Sequence, residues 1–321
     1  MILHIAYSSD DNYTPFLGTS IYSLLENNSS DFDTITLHIL SNNISKSNKN
    51  NLDSICEKFN SKCVFYDMSD LDKRLNGLVV KTIAISAYAR LFLPEILPKE
   101  IDKIFYLDCD SIILGSFKNL WKTPMENNII FGVEDVIPTL FKNKMGMLSQ
   151  NKYINSGMLP MNIKLMRKED SFSKIMEFMN NYNGEIPHHD QGVINSLFHN
   201  RCKIIHPKYN CITPFFLMNS KQLKKLYKMD SYYSQKELDE AISKPVFGHL
   251  TQSLITRPWY KGSTHPLKNI FLEYLEKTPW KGYQLHKDNR ILNVKIAAFL
   301  FKVFPFNIYL KVLKILKRSD Q

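Results

Sequence analysis

Two aspartates that interrupt an apolar segment are the residues best placed to do chemistry. Residues 104–114 read Ile-Phe-Tyr-Leu-Asp-Cys-Asp-Ser-Ile-Ile-Leu, so a β-like run delivers Asp108 and Asp110. Side chains at i and i+2 of a strand point to the same side, and the two carboxylates can therefore converge. At the end of a buried strand they repel each other and lose hydration unless a cation lies between them. Such oxygen ligands suit Mn²⁺ or Mg²⁺ bridging a diphosphate; a solvated turn after a strand is the alternative.

The same Asp-x-Asp spacing occurs at two other places, Asp31/Asp33 and Asp70/Asp72. Both pairs lie in polar contexts that indicate turns or helix starts, because no apolar run leads into them. Only Asp108/Asp110 is therefore predicted to bind a metal.

Strand and helix patterns alternate along the chain. This alternation predicts a parallel sheet wound in the Rossmann manner, with ligands at the carboxyl ends of the strands. Tyr7–Tyr13, Asp108–Asp110 and His249 all follow predicted strands, and we expect them to meet at one sheet edge. The predicted strands are 2–7, 35–40, 63–66, 103–108, 129–134, 157–162, 203–205 and 246–249. The predicted helices are 14–27, 47–59 with Ser47 as N-cap, 86–93 ended by Pro94, 172–181, 191–198 and 266–276; residues 140–152 are predicted to be a flexible loop.

Length and composition indicate an intracellular globular protein. A chain of 321 residues with 44% hydrophobic and 22% charged residues can form one large α/β domain or two ordinary ones. Its five cysteines form no C-x-x-C pair, and their number is odd, which favours a reducing compartment. The first residues lack a charged region followed by a long apolar stretch, so we predict no signal peptide and a cytoplasmic location.

The C-terminal segment carries most of the net positive charge. Residues 287–318 hold eight Lys/Arg and one acid, Asp288, which gives +7 of the formal +10. The cations are interleaved with aromatic and aliphatic residues, and no uncharged run approaches the roughly 20 residues that span a bilayer. No matching basic patch for nucleic acid occurs elsewhere. The pattern favours a basic amphipathic tail, residues 281–321, at an anionic membrane surface; a packed helix with a solvated basic face is the alternative.

The polar segment after the first predicted strand can bind a nucleotide. Residues 8–13 read Ser-Ser-Asp-Asp-Asn-Tyr, whose backbone N–H groups and short side chains can grip a uridine while Tyr13 stacks on the base. An ordinary capped loop is the alternative. The chain has no G-x-x-x-x-G-K-[ST] motif, and no G-x-G-x-x-G follows the first strand, so P-loop NTPases and dinucleotide enzymes are disfavoured.

Five separated segments carry a family resemblance. They are residues 6–13 (Ala-Tyr-Ser-Ser-Asp-Asp-Asn-Tyr), 86–90 (Ser-Ala-Tyr-Ala-Arg), 106–110 (Tyr-Leu-Asp-Cys-Asp), 153–157 (Tyr-Ile-Asn-Ser-Gly) with 189–191 (His-Asp-Gln), and His249 followed by 257–259 (Arg-Pro-Trp). In these the chain resembles the retaining glycosyltransferases of family 8, especially the bacterial α-galactosyl- and α-glucosyltransferases of lipopolysaccharide and other surface glycans. The resemblance covers residues 2 to about 280. It implies a GT-A type α/β fold: a single Rossmann-like nucleotide-binding domain, residues 1–280, with a mixed, mainly parallel sheet.

The resemblance also implies roles for individual residues. His249 would complete an Asp108–Asp110–His249 metal site and shift its preference toward Mn²⁺, since nitrogen suits transition metals. Asp190 would bind sugar hydroxyls and Gln191 would lie near the anomeric carbon, and these two are the predicted catalytic residues. The implied donor-binding residues are Ala6, Ser8, Asp10, Asp11, Asn12, Tyr13, Arg90, Asp108, Cys109, Asp110, Asn155, Gly157, Asp190, Gln191, His249 and Arg257, with Lys81 a weaker candidate.

The chain departs from the family pattern at two places. The family usually has a glycine and then Lys-Pro-Trp after the histidine; this chain has Arg257-Pro-Trp, about two residues further on, and lacks the glycine. The family often has an acid directly after the glutamine, where this chain has Gly192. A double displacement through that acid is therefore excluded, and front-face attack through an ion-pair-like state is expected.

The predicted activity is metal-dependent transfer of glucose or galactose, with retention, from a UDP-sugar to a surface-glycan acceptor at the inner face of the membrane. A sugar-phosphate nucleotidyltransferase is an alternative, although its glycine- and lysine-rich loop after the first strand is absent. An inactive glycan-binding homologue is a second alternative, and the intact Asp108, Asp110 and His249 count against it.

Overall fold

A seven-stranded mixed sheet forms the centre of the part of the chain that the computed structural model describes, residues 1–68, 88–182 and 185–319 with the side chains of 316–319 excepted. The strand order is β3-β2-β1-β4-β7-β6-β8. Strands β1 to β4 are parallel, β7 is antiparallel to both of its neighbours, and β6 and β8 are parallel. The strands are β1 Ile2–Asp10, β2 Thr34–Asn42, β3 Lys62–Asp67, β4 Lys103–Leu107, β6 Ile130–Gly132, β7 Met158–Asn162 and β8 Cys202–Ile204.

A second, three-stranded sheet packs beside the first and was not predicted. It consists of β5 Ser111–Ile113, β9 Cys211–Ile212 and β10 Phe247–His249, in the order β5-β10-β9. Strand β10 is antiparallel to β5, and His249 lies opposite Ser111. This register carries the histidine to the aspartate pair, because Ser111 directly follows Asp110.

Helices cover both faces of the central sheet, and each face holds one of two buried hydrophobic clusters. Helix α1 begins with Pro15 in its first turn, where proline's missing N–H costs nothing. The helices are α1 Thr14–Asn28, α2 Lys46–Lys58, α3 Leu93–Ile96, α4 Lys118–Lys122, α5 Thr139–Lys144, α6 Ile163–Lys168, α7 Ser171–Asn181, α8 His189–Phe198, α9 Thr213–Leu217, α10 Ser220–Tyr227, α11 Gln235–Ser243, α12 Lys268–Glu276, α13 Leu292–Val303 and α14 Phe306–Ser319.

The predicted fold class is confirmed, and three local predictions are wrong. Ser45, not Ser47, caps α2 by accepting a hydrogen bond from the backbone N–H of Asn48. Pro94 does not end a helix: a 3₁₀ turn at Ala89–Phe92 leads into α3, which holds Pro94 in its first turn. The predicted loop 140–152 overlaps helix α5, and the buried Lys142 of this helix pairs with Glu134 and donates to the Asn151 carbonyl.

Some predictions fall outside the described residues. They concern Lys81, the first two residues of the predicted helix 86–93, and the pair Asp70/Asp72. The other spare pair, Asp31/Asp33, lies in a turn between α1 and β2 as expected.

The C-terminal segment forms helices α13 and α14, whose Phe301 and Phe306 pack against the larger hydrophobic cluster of the body. Tyr309 is 2% exposed and packs edge-on against Phe301, with ring centroids 5.2 Å apart. The opposite face of α13 exposes apolar side chains at helical spacing: Leu292, Ile296, Phe299 and Val303. Within the described residues, no helix has the length and apolarity to cross a bilayer.

Candidate active site

Asp108, Asp110 and His249 converge at the carboxyl end of β4. One ligand atom from each lies within 4.8 Å of the others. His249 Nε2 is 3.3 Å from Asp110 Oδ1 and 3.7 Å from Asp108 Oδ2. The three residues therefore offer two oxygens and one nitrogen to a common point, as the sequence predicted.

Backbone pairing on both sides fixes this cluster. The N–H of Asp108 donates to the Gly157 carbonyl at 2.8 Å, and the N–H of Leu250 donates to the Asp110 carbonyl at 2.8 Å. The imidazole of His249 packs directly on Gly157, where an added Cβ would lie 2.1 Å from a ring carbon. Any larger residue at position 157 would overlap the His249 ring, so glycine is needed there.

Two arginines neutralise the carboxylates. Arg90 Nη2 is 2.8 Å from Asp108 Oδ1, and Arg257 Nη2 is 2.7 Å from Asp110 Oδ2. Although burial opposes ionisation of Asp110, Arg257 and His249 hold the pKa of its carboxyl well below the usual range. Burial acts against the Arg90 charge as well, but Asp108 and Asp190 outweigh it and raise the pKa of Arg90. Asp110 is thus ionised and Arg90 charged at neutral pH.

A buried amide network orients His249. Its Nδ1 lies 3.1 Å from Oδ1 of the buried Asn210, whose own Nδ2 donates to Asn155 Oδ1 at 2.8 Å. Because Asn210 thus presents its oxygen, Nδ1 carries a proton and Nε2 faces the carboxylates. Burial opposes a charge on the ring, but Asp110 and Asp108 outweigh it and raise the pKa of His249. A bound cation would replace the Nε2 proton and leave the ring neutral, with its proton on Nδ1. This neutral tautomer, held by a second group, is what metal-binding histidines need. The donor set therefore fits a divalent cation of the Mn²⁺ or Mg²⁺ class.

A second group of polar side chains joins the cluster of Asp108, Asp110 and His249 to helix α8. Arg90 Nε is 3.1 Å from Asp190 Oδ2, and the Ser156 hydroxyl donates to the same carboxylate at 3.2 Å. Burial raises the pKa of Asp190, with Arg90 acting in the opposite direction. The two aspartates, Asp108 and Asp190, therefore share one guanidinium, which links the metal side of the site to the predicted sugar side.

The amide of Gln191 has a fixed orientation. Its Nε2 donates to Asp135 Oδ2 at 2.9 Å, and its Oε1 accepts from the Ser156 N–H at 3.0 Å. Asp135 Oδ2 also accepts from Asn155 Nδ2 at 3.1 Å. The glutamine therefore cannot flip without breaking bonds at both ends.

Gly192 is required by the turn that begins α8. An added Cβ would lie 2.1 Å from the Pro187 carbonyl oxygen, and the two residues that start the helix, His188 and His189, both have positive φ. Non-glycine residues adopt such angles at a cost, usually at functional sites. No side chain, acidic or otherwise, fits at 192 unless this turn moves.

The loop after β1 is tied to its surroundings. Asp10 caps it by accepting the Tyr13 N–H, and Asp11 Oδ1 accepts from Ser45 N and Asn48 Nδ2, both at 2.8 Å. The Tyr13 hydroxyl accepts from Arg257 Nη1 at 3.1 Å. These bonds join the loop after β1 to helix α2 and to the segment that contains Arg257.

The remaining predicted donor-binding residues lie close to this loop or inside the sheet. Cys109 Sγ donates to the Ser8 carbonyl at 3.2 Å, which joins the ends of β1 and β4. Asn12 is exposed, whereas Ala6 is fully buried beside Tyr106. Their contacts with a nucleotide remain predictions.

Sequence reasoning missed three residues that shape the site: Asp135, Ser156 and Asn210. Asp135 directly follows a predicted strand, so the rule that selected Asp108 could have selected it too. Ser156 lies inside a recognised segment, between two predicted donor-binding residues. Asn210 precedes the two-residue strand β9, and no sequence pattern identifies it.

The fold and this strand-end site define a GT-A type glycosyltransferase. The chain belongs to glycosyl transferase family 8, whose model matches residues 4–249. It is similar to general stress protein A of Bacillus subtilis, at 26% identity over 87% of this chain and 95% of that protein. It is also similar to a lipopolysaccharide 1,2-glucosyltransferase of Escherichia coli, at 24% identity over 88% of this chain and 81% of that protein. A lipopolysaccharide 1,3-galactosyltransferase of Salmonella typhimurium is similar at 24% identity over 86% of this chain and 79% of that protein.

Solved structures support the fold assignment. The galactosyltransferase LgtC, in complex with donor and acceptor sugar analogs, superposes with a TM-score of 0.70 at 24% identity, over 87% of this chain and 96% of that one. The bifunctional glycosyltransferase WbbM superposes with a TM-score of 0.71 at 20% identity, over 87% of this chain and 50% of that one.

Proposed function

We propose that this protein transfers glucose or galactose, with retention, from a UDP-sugar to a surface-glycan acceptor, forming an α linkage. The observation that carries the proposal is the convergence of Asp108, Asp110 and His249 at the strand ends, flanked by Arg90 and Arg257. Relatives that are named as lipopolysaccharide glucosyl- and galactosyltransferases support both the sugar class and the acceptor class.

On the donor side, Asp108, Asp110 and His249 would hold Mn²⁺, or Mg²⁺, which supplies Lewis-acid neutralisation of a diphosphate. Arg90 and Arg257 add positive charge where negative charge develops on the leaving group. Tyr13 and the loop around Asp10 lie beside Arg257, where a uridine can be stacked and held. Burial raises the pKa of Tyr13 to about 12, so its hydroxyl stays neutral.

On the sugar side, Asp190 would accept hydrogen bonds from sugar hydroxyls, and the fixed amide of Gln191 would present its oxygen near the anomeric carbon. Position 192 offers no carboxylate. This favours front-face attack, in which the acceptor hydroxyl gives its proton to the oxygen of the departing UDP. The Gln191 dipole would stabilise positive charge on the sugar ring without forming a bond.

The tail, residues 281–321, would hold the enzyme at the cytoplasmic face of an anionic membrane, where lipid-linked acceptors lie. Apolar side chains on the outer face of α13 and the eight Lys/Arg of residues 287–318 support this role. Residues 1–280 would form the catalytic domain.

The deciding experiment measures sugar transfer and donor hydrolysis with UDP-glucose and UDP-galactose, with Mn²⁺ or EDTA present. Wild-type activity should vanish in EDTA and return with Mn²⁺. Asp110→Asn should lose at least about a thousandfold while remaining folded by circular dichroism, because the cation that neutralises the diphosphate would lose one of its three protein ligands. Full activity in EDTA, or a β-linked product by NMR, would refute the proposal, and pyrophosphate release from UTP and a sugar phosphate would favour the nucleotidyltransferase instead.

A further inference from the structure

A cationic groove lies between α14 and α10, apart from the donor site. It has a volume of about 530 Å³. Two lysines of the body, Lys225 and Lys228, and two of the tail, Lys311 and Lys314, line it together with three leucines and an asparagine. The described lining contains no acidic residue.

The two walls of the groove are held in register. Lys225 Nζ donates to Asn307 Oδ1 at 2.9 Å, and Phe306 at the start of α14 packs against the larger hydrophobic cluster of the body. The lysines of the two elements therefore face each other across a preformed gap. Among the described residues, none of the four forms a salt bridge.

Four exposed lysines line one groove that has no acidic residue in its described lining, and an anion with several oxygens would balance their charge. A phosphate diester or monoester has this chemistry. The leucines give the groove apolar walls, which a fully hydrated inorganic ion does not need.

The outer face of α14 indicates where the phosphate comes from. Ile308 and Ile315 are 46% and 67% exposed and lie on one helix face, since seven residues make about two turns. Lys311 lies only about 60° around the helix from Ile308. A cation beside an exposed apolar face is the arrangement of a helix lying in a membrane interface.

We propose that this groove binds the headgroup phosphate of an anionic membrane phospholipid while Ile308 and Ile315 enter the adjoining acyl region. The proposal rests on the membrane association proposed above and makes it specific: the body, not only the tail, supplies phosphate ligands. Donor hydrolysis measures the catalytic proposal separately, because the four lysines lie outside the donor site.

The test uses the full chain and three matched double variants. The tail-side variant is Lys311→Gln with Lys314→Gln. The body-side variant is Lys225→Gln with Lys228→Asn, since Lys228 has φ +54° and asparagine tolerates that angle. The control variant is Lys221→Gln with Lys236→Gln, two exposed lysines outside the groove.

Binding to phosphatidylglycerol-containing vesicles, measured by flotation, should weaken about 30-fold in both groove variants, as about 1 kcal/mol per lysine implies. The control should change less than about threefold, and donor hydrolysis should remain within about twofold throughout. Lysine acetylation read by mass spectrometry should show that these vesicles, and not phosphatidylcholine vesicles, protect all four groove lysines.

Three results would overturn the proposal. If the body-side variant binds like the wild type while the tail-side variant does not, the tail acts as a plain basic helix. Equal losses in the control variant would mean unspecific attraction. Protection of the four lysines by inorganic phosphate alone, with no effect of vesicles, would make the groove a site for a soluble anion.

Discussion

Arg90 and Arg257 each hold one carboxylate of the strand-end pair, yet they are built into the molecule differently. The Arg90 side chain is 7% exposed, pairs with Asp108 and Asp190, donates to the Ser156 carbonyl, and stacks over Tyr106. The Arg257 side chain is 22% exposed and reaches Asp110 from a loop.

The difference in surroundings separates two tasks. Arg90 joins the metal side to Asp190 and, through Ser156, to Gln191, so it belongs to the part of the site that must be rigid for chemistry. Arg257 joins Asp110 to Tyr13, and its neighbour Trp259 stacks on Phe16 with ring centroids 4.2 Å apart. We infer that the Arg90 side governs turnover and the Arg257 side governs donor binding.

Among the tests of this comparison, the largest effect is expected on the Arg90 side. Gln191→Ala should slow kcat by about two to three orders of magnitude, because the fixed amide no longer faces the reacting carbon. UDP affinity, measured by calorimetry, should change less than about threefold. A normal kcat in this variant would show that Gln191 takes no part in the mechanism, and it would contradict the inference that the Arg90 side governs turnover.

An intermediate effect should distinguish the two arginines through the same substitution. Arg90→Lys should cost about a hundredfold in kcat, because an ammonium cannot serve two carboxylates and a carbonyl in one plane. Arg257→Lys introduces the residue that is usual in this family, at a position where the side chain is partly exposed. This substitution should therefore change KM for the donor about threefold and leave kcat unchanged. Equal losses in the two variants would contradict the division of tasks.

The smallest expected effect concerns packing. Gly157→Ala should lower the free energy of unfolding by about 1–3 kcal/mol and weaken Mn²⁺ binding, since its Cβ would displace the His249 ring. Gly115→Ala is the matched control, because its Cβ would make only ordinary contacts, the nearest at 3.4 Å, with Val246. Chemical denaturation measures the stability of both variants, and calorimetry measures their Mn²⁺ binding. Unchanged Mn²⁺ binding in Gly157→Ala would mean that the His249 ring can shift without losing its place in the cluster.

Local sequence determined most of the elements and the aspartate pair of the candidate site, whereas the family resemblance supplied Arg90, Asp190, Gln191, His249 and Arg257. The apolar run before Asp108 predicts β4, and alternation predicts the Rossmann-like half, because strand and helix periodicities are set by nearby residues. Helix caps are harder to predict from the sequence than the helices themselves. Ser45 and Ser47 are the same residue type, and the contact of Ser45 with Asp11 makes Ser45 the N-cap of α2.

Tertiary structure alone decided how the distant residues meet. The antiparallel register of β10 on β5 carries His249 to a carboxylate 139 positions earlier in the chain. The orientation of His249 depends on Asn210, which no pattern marks, and that of Gln191 depends on Asp135. These contacts arise from strand pairing and burial between remote segments. Periodicity and local residue types therefore determine which groups are available, whereas the pairing of remote strands decides which of them share a site.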